Sequence, residues 1–156
     1  MAEYSSVAVQ TVNPGETVVF SNEPSPCQLG LIRHRDETGN FLLIGYVPQQ
    51  YNVCPCRRAR TANYLIDFGA NIAVPTGETV GPISLAITID GATIPGSTMI
   101  VTPAAVEQFF NVSRAINADI FKGCCETISV RNTSSIPILV QNANIIITRP
   151  DLNRIR

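Results

Sequence analysis

The chain has 156 residues, 45% of them hydrophobic and only 15% charged, with a net charge of −1 at pH 7. That length suits one domain able to bury a full core without a metal or cofactor, and the composition excludes a disordered chain. One lysine, Lys122, stands against ten arginines, and the short run Arg57, Arg58, Arg60 is the only basic cluster, so a nucleic-acid surface built on counterion release is excluded too.

The opening MAEYSSVAVQ lacks the basic-then-apolar layout of a secretory signal. No apolar stretch approaches the roughly eighteen residues that a membrane span requires. The expectation is a chain made in the cytoplasm, with residues 1–6 as a short N-terminal tail. SVAVQ and ETVVFSN then read as strands around the turn Asn13-Pro14-Gly15. After Pro24–Pro26, CQLGLIRHRD and NFLLIG read as a hairpin through Glu37-Thr38-Gly39-Asn40.

NYLIDFGANIAVP places Tyr64, Ile66, Phe68, Ala70 and Ile72 on one face. In GPISLAITIDG, Ile83, Leu85, Ile87 and Ile89 alternate with Ser84, Ala86 and Thr88, and Asp90-Gly91 is a turn signal. VTPAAVEQFF interrupts the strands: Thr102 is placed as an N-cap and Pro103 as a first helical residue, so one short helical turn is expected near 103–109. FNVSRAINADIF puts Phe110, Val112, Ile116 and Ile120 in register, ETISVRN adds Ile128 and Val130, and IPILVQNANIIITR closes the series. That last run has apolar residues on both faces, including Ile138, Leu139, Val140, Ile145, Ile146 and Ile147, which is expected where a second chain covers the outer face. About eight to ten strands with such turn spacing read as an all-β sandwich or barrel.

This order of segments resembles the jelly roll of the tumour-necrosis-factor and complement-globular-head superfamily, especially its bacterial and bacteriophage members. The resemblance covers roughly residues 7–148 and rests on NPGETVVFSN, the hairpin LGLIRHRDETGNFLLIG, NYLIDFGANIAVP, ISLAITIDGATIPGS and the final trio of strands. It implies an antiparallel jelly roll of about ten strands that assembles as a homotrimer and works by binding or by forming structure. Two departures stand out. Cys54, Cys56, Cys124 and Cys125 are not a general superfamily feature, and the expectation is that no collagen-like or stalk segment precedes the domain.

Catalytic chemistry finds little material. His34 is the one histidine, in the alternating stretch RHRD, and no nucleophile elbow, P-loop, dinucleotide fingerprint or HExxH motif occurs. Asp67, Asp90 and Asp119 lie on or beside strands without the spacing of an acid–base pair, and no loop carries a calcium-type carboxylate cluster. The sequons at Asn111 and Asn132 carry no weight without a eukaryotic secretory route.

The five cysteines are the remaining chemistry. Cys54-Pro-Cys56 is not a CxxC motif and does not open a helix that would stabilise a thiolate. Cys54, Cys56, Cys124 and Cys125 number the four ligands of a zinc site, but their CxC and CC spacings are tighter than those of zinc knuckles. An odd count argues against a closed set of internal disulfides. The resemblance implies that Cys54, Cys56, Cys124, Cys125 and Cys27 gather at one rim of the sandwich, as disulfides within or between chains or as buried thiols.

These readings lead to a single jelly-roll domain over residues 1–156, with tails at 1–6 and 149–156, no enzymatic activity, no cofactor and no metal. The expected function is that of a homotrimeric structural protein on a bacteriophage virion surface, as capsid decoration or head-fibre knob. Its expected partners are itself, the major capsid protein and host-surface glycans, with no nucleic acid and no membrane. The alternatives are a trimeric jelly roll of a bacterial surface or spore coat, and a carbohydrate- or receptor-binding module.

Overall fold

The computed structural model describes residues 1–27, 29–35, 37–48, 60–123 and 125–150. Within them the chain forms twelve strands: β1 (Ala2–Ser6), β2 (Gln10–Val12), β3 (Asn22–Ser25), β4 (Ile32–His34), β5 (Phe41–Ile44), β6 (Thr61–Ala73), β7 (Ile83–Ile89), β8 (Ala92–Thr93), β9 (Met99–Val101), β10 (Phe110–Phe121), β11 (Cys125–Asn132) and β12 (Ile138–Thr148). They build two antiparallel six-stranded sheets. The first runs β10-β6-β12-β1-β3 with β2 also on β12; the second runs β4-β5-β11-β7-β8 with β9 also on β7.

The period-two pattern drives this sandwich. In β6, Ala62, Tyr64, Ile66, Phe68, Ala70 and Ile72 are buried while Leu65 and Asp67 face outward. Each large apolar side chain taken fully from water contributes about 1.5–3 kcal/mol. β6 pairs with β10 over twelve consecutive residues without a shift, from Thr61 opposite Phe121 to Ile72 opposite Phe110. Between the sheets, Tyr4 of β1 meets His34 and Phe41 at ring-centroid distances of 4.9 and 4.8 Å, His34 stacks on Phe41 at 4.7 Å, and Phe20 completes the nest.

At the end of β7 the predicted Asp90-Gly91 turn is present, with φ of 47° and 83°. Two successive positive φ values are what a two-residue type I′ hairpin demands, and β8 pairs back onto β7 directly after it.

Four expectations need correction. Residues 1–6 are not a tail: Ala2 and Tyr4 are buried, and β1 pairs with β12 from Ala2–Ile147 to Ser6–Ala143. The strand expected over SVAVQ is broken, because Val7 and Val9 are exposed between β1 and β2, which lie end to end along β12. ETVVFSN forms no regular strand although Val18 and Phe20 are fully buried. There the chain crosses between sheets: Val18 N–H donates to Val130 O in one, Ser21 N–H to Ser5 O in the other. Between them the Gln10 side chain takes the place of a strand partner, bonding Val19 N and O at 2.8 and 2.9 Å.

The fourth correction is the helical turn near 103–109. The chain makes bends and a turn there, with Glu107 at φ 58°. Its N–H reaches Val74 O at 2.7 Å instead of a carbonyl one turn back, and the Gln108 side chain accepts from Ala104 N–H. A left-handed residue and a tertiary acceptor override the N-cap and proline signals.

Candidate functional site

The rim of the sandwich that holds Cys27 and Cys125 carries the side chains with chemical potential. Cys125 opens β11, exposed, directly opposite Ile44 of β5. Cys27 follows β3, half-buried against the core and against a cavity of about 100 Å³ that Met1, Leu31 and Arg149 also line. Hydrogen bonds join the two sides. Ile44 N–H donates to Leu31 O at 2.9 Å, and the Tyr64 hydroxyl, pointing up from β6, lies 2.7 Å from Ile44 O and 3.2 Å from Leu31 O.

Arg149, expected in the C-terminal tail, is buried here, its guanidinium 5.3 Å above the Tyr64 ring. The turn after β10 is tied into the same rim. Lys122 N–H donates to Arg60 O at 2.8 Å, and Gly123 N–H, at φ 81°, to Gly45 O at 3.0 Å. Cys54, Cys56 and Cys124, and with them Arg57 and Arg58, lie outside the described residues. Among those described there is no disulfide, and no group of three or more His, Cys, Asp or Glu is placed to hold a metal ion.

The other sequence candidates are occupied elsewhere. His34 directs Nε2 at Thr38 O, 2.9 Å away; a carbonyl only accepts, so that nitrogen carries the proton. Asp90 accepts from Thr127 N–H at 2.8 Å, Asp119 accepts from the Asn63 side chain at 2.9 Å, and Asp67 faces outward from β6. The structure does not bring these carboxylates together. Asn132 is 1% exposed and its amide bonds Val12 O and Ile136 O, both at 2.9 Å, so the second sequon is a structural residue in the folded chain. The tie through Tyr64 and Arg149 was invisible in the sequence, where Tyr64 sits in a plain alternating strand and Arg149 opens the expected C-terminal tail.

No family model matches the sequence, and no curated protein matches it. Among solved structures, the fold is similar to Eiger TNF from S. frugiperda, with a TM-score of 0.62 at 11% identity, over 95% of this chain and 90% of that one. It is likewise similar to the globular domain of the zebrafish complement 1qA protein, with a TM-score of 0.58 at 11% identity, over 93% and 94% of the two chains. The likeness is one of fold, and it spans nearly the whole jelly roll on both sides.

Proposed function

We propose that this chain is a non-enzymatic structural protein that assembles as a homotrimer on the surface of a bacteriophage particle, as capsid decoration or head-fibre knob. The observation that supports self-association is the outer face of the β10-β6-β12-β1-β3 sheet. Leu65 is 38% exposed there, Leu139 and Ile146 are half-buried, and small or amide side chains such as Ala115, Asn117 and Asn144 fill much of the remainder. Apart from the exposed carboxylates Asp67 and Asp119, these side chains are cheap to desolvate against a second copy. Against catalysis, the one histidine is stacked on Phe41 and tilted against Tyr4, and the candidate carboxylates stand apart.

The particle assignment rests on the resemblance to bacteriophage jelly rolls, and the capsid protein is the partner it suggests. Oxidising conditions after cell lysis suit late crosslinking by rim cysteines in a virion protein.

Light scattering on the purified chain should give three times the 16.9 kDa of one copy. Ile146→Arg should reduce the particle to one copy while its circular dichroism stays that of a β-sandwich, and non-reducing gels of aged wild type should show crosslinked chains that collapse on reduction. A wild-type mass near one chain in dilute solution would sink the trimer.

A further inference from the structure

Beside Cys125 the rim opens into a mostly apolar pocket of about 440 Å³, lined by Ile44, Tyr46, Val47, Lys122, Gly123 and Cys125. The volume falls in the roughly 300–1,000 Å³ of small-molecule sites. The backbone N–H groups of Lys122 and Gly123 are already bonded to the Arg60 and Gly45 carbonyls. Among the described lining residues, the polar groups that face a ligand are the Lys122 ammonium and the Tyr46 hydroxyl. Tyr46 is 54% exposed, an aromatic ring held in water beside apolar walls. Lys122 is the only lysine of the chain, and it has no ion-pair partner among the described residues.

This donor set selects a ligand class. A sugar or nucleotide needs several convergent hydrogen-bonding groups, which the described lining residues do not supply; an organic cation meets a like charge at Lys122. An apolar body carrying one acid group satisfies both the walls and the ammonium. We propose that the pocket binds an amphipathic organic anion, an alkyl or aryl carboxylate or sulfonate, with its body against Ile44, Tyr46 and Val47 and its acid group on Lys122. The site does not depend on the trimer or on the particle.

The test uses the full chain and 8-anilinonaphthalene-1-sulfonate, an aryl sulfonate. The chain has no tryptophan, so the dye's emission is read without energy transfer from indole. Saturable binding of one dye per chain is expected, displaced by dodecanoate but not by acetate at equal concentration. Lys122→Gln should weaken binding roughly tenfold, the effect of losing one charge-assisted hydrogen bond. Cys125→Phe should fill the pocket and abolish binding; should that variant misfold, Tyr46→Ala, at an exposed side chain, is expected to weaken it by a similar roughly tenfold factor. Arg114→Gln removes the same charge from β10, remote from the pocket, and should change nothing. Non-saturable binding, or Lys122→Gln indistinguishable from Arg114→Gln, overturns the proposal.

Discussion

Glu126, second residue of β11, has its carboxyl pushed above the ordinary carboxylate range by burial and then by the like charge of Asp90, with a backbone hydrogen bond at Phe121 offsetting part of the effect. Its ionised form is therefore the less comfortable one in the folded chain. The resulting penalty is fully present above the raised folded value and vanishes once the pH falls below the ordinary carboxylate value of the unfolded chain. Glu126→Gln should accordingly stabilise the protein at neutral pH by roughly a few tenths of a kcal/mol, the scale of one unfavourable cross-strand charge pair. Thermal melts of both proteins as a function of pH should converge in acid. Tyr4 shows the same physics in a phenol: burial first, then the neighbouring Glu23, hold its hydroxyl protonated far beyond the usual tyrosine range. At Gly39 the constraint is steric, because a side chain would run into Val18 O and the Thr17 side chain.

Among the strands, β12 shows how one residue sets a face. Ile138 and Val140 point inward, then the register shifts between Gln141 and Asn144, and Ala143, Ile145 and Ile147 point inward instead. Asn142 makes the shift at φ 52°, a conformation asparagine and glycine accept and β-branched residues resist. Asn142→Val should cost about 1–2 kcal/mol, whereas Asn142→Gly should stay within about 0.5 kcal/mol of wild type in urea unfolding. Strands such as β6 and β7 were legible in the sequence because an apolar residue recurs at every second position and is largely buried, and β10 was legible although exposed Arg114 interrupts its row. The segment Val18–Phe20 misled because its backbone bonds are split: Val18 N–H goes to Val130 O, Phe20 N–H to Thr38 O, and Val19 to the side chain of Gln10. β1 was illegible because Ala2 and Tyr4 are buried through contacts with residues far along the chain, which composition does not announce. Of the rim, the cysteines drew notice by their type alone, while the pocket beside Cys125 depends on a turn, Lys122–Gly123, meeting the end of β5.

At the scale of the whole molecule, the two sheets are joined by their apolar faces and by a few polar ties at the rim. Tyr64 is the clearest: a β6 side chain whose hydroxyl serves the carbonyls of Leu31 and Ile44 in the opposite layer. Tyr64→Phe keeps the buried ring and removes that tie. It should lower stability by about 1–2 kcal/mol, read as a reduced urea midpoint with an unchanged m-value.

The position of β12 has a kinetic consequence. It follows every other strand in the chain, yet it lies at the centre of its sheet, with β1 and β2 on one side and β6 on the other. Until it arrives, β1 has no place beside β6–β10, and the sheet exists only as separate halves. The partner of Ala2 is Ile147, so closing the fold means joining segments nearly the full described chain apart. Such long-range pairing makes folding slow and leaves half-built edges exposed meanwhile. On the ribosome, the sheet can only close after the segment through Thr148 has cleared the exit tunnel.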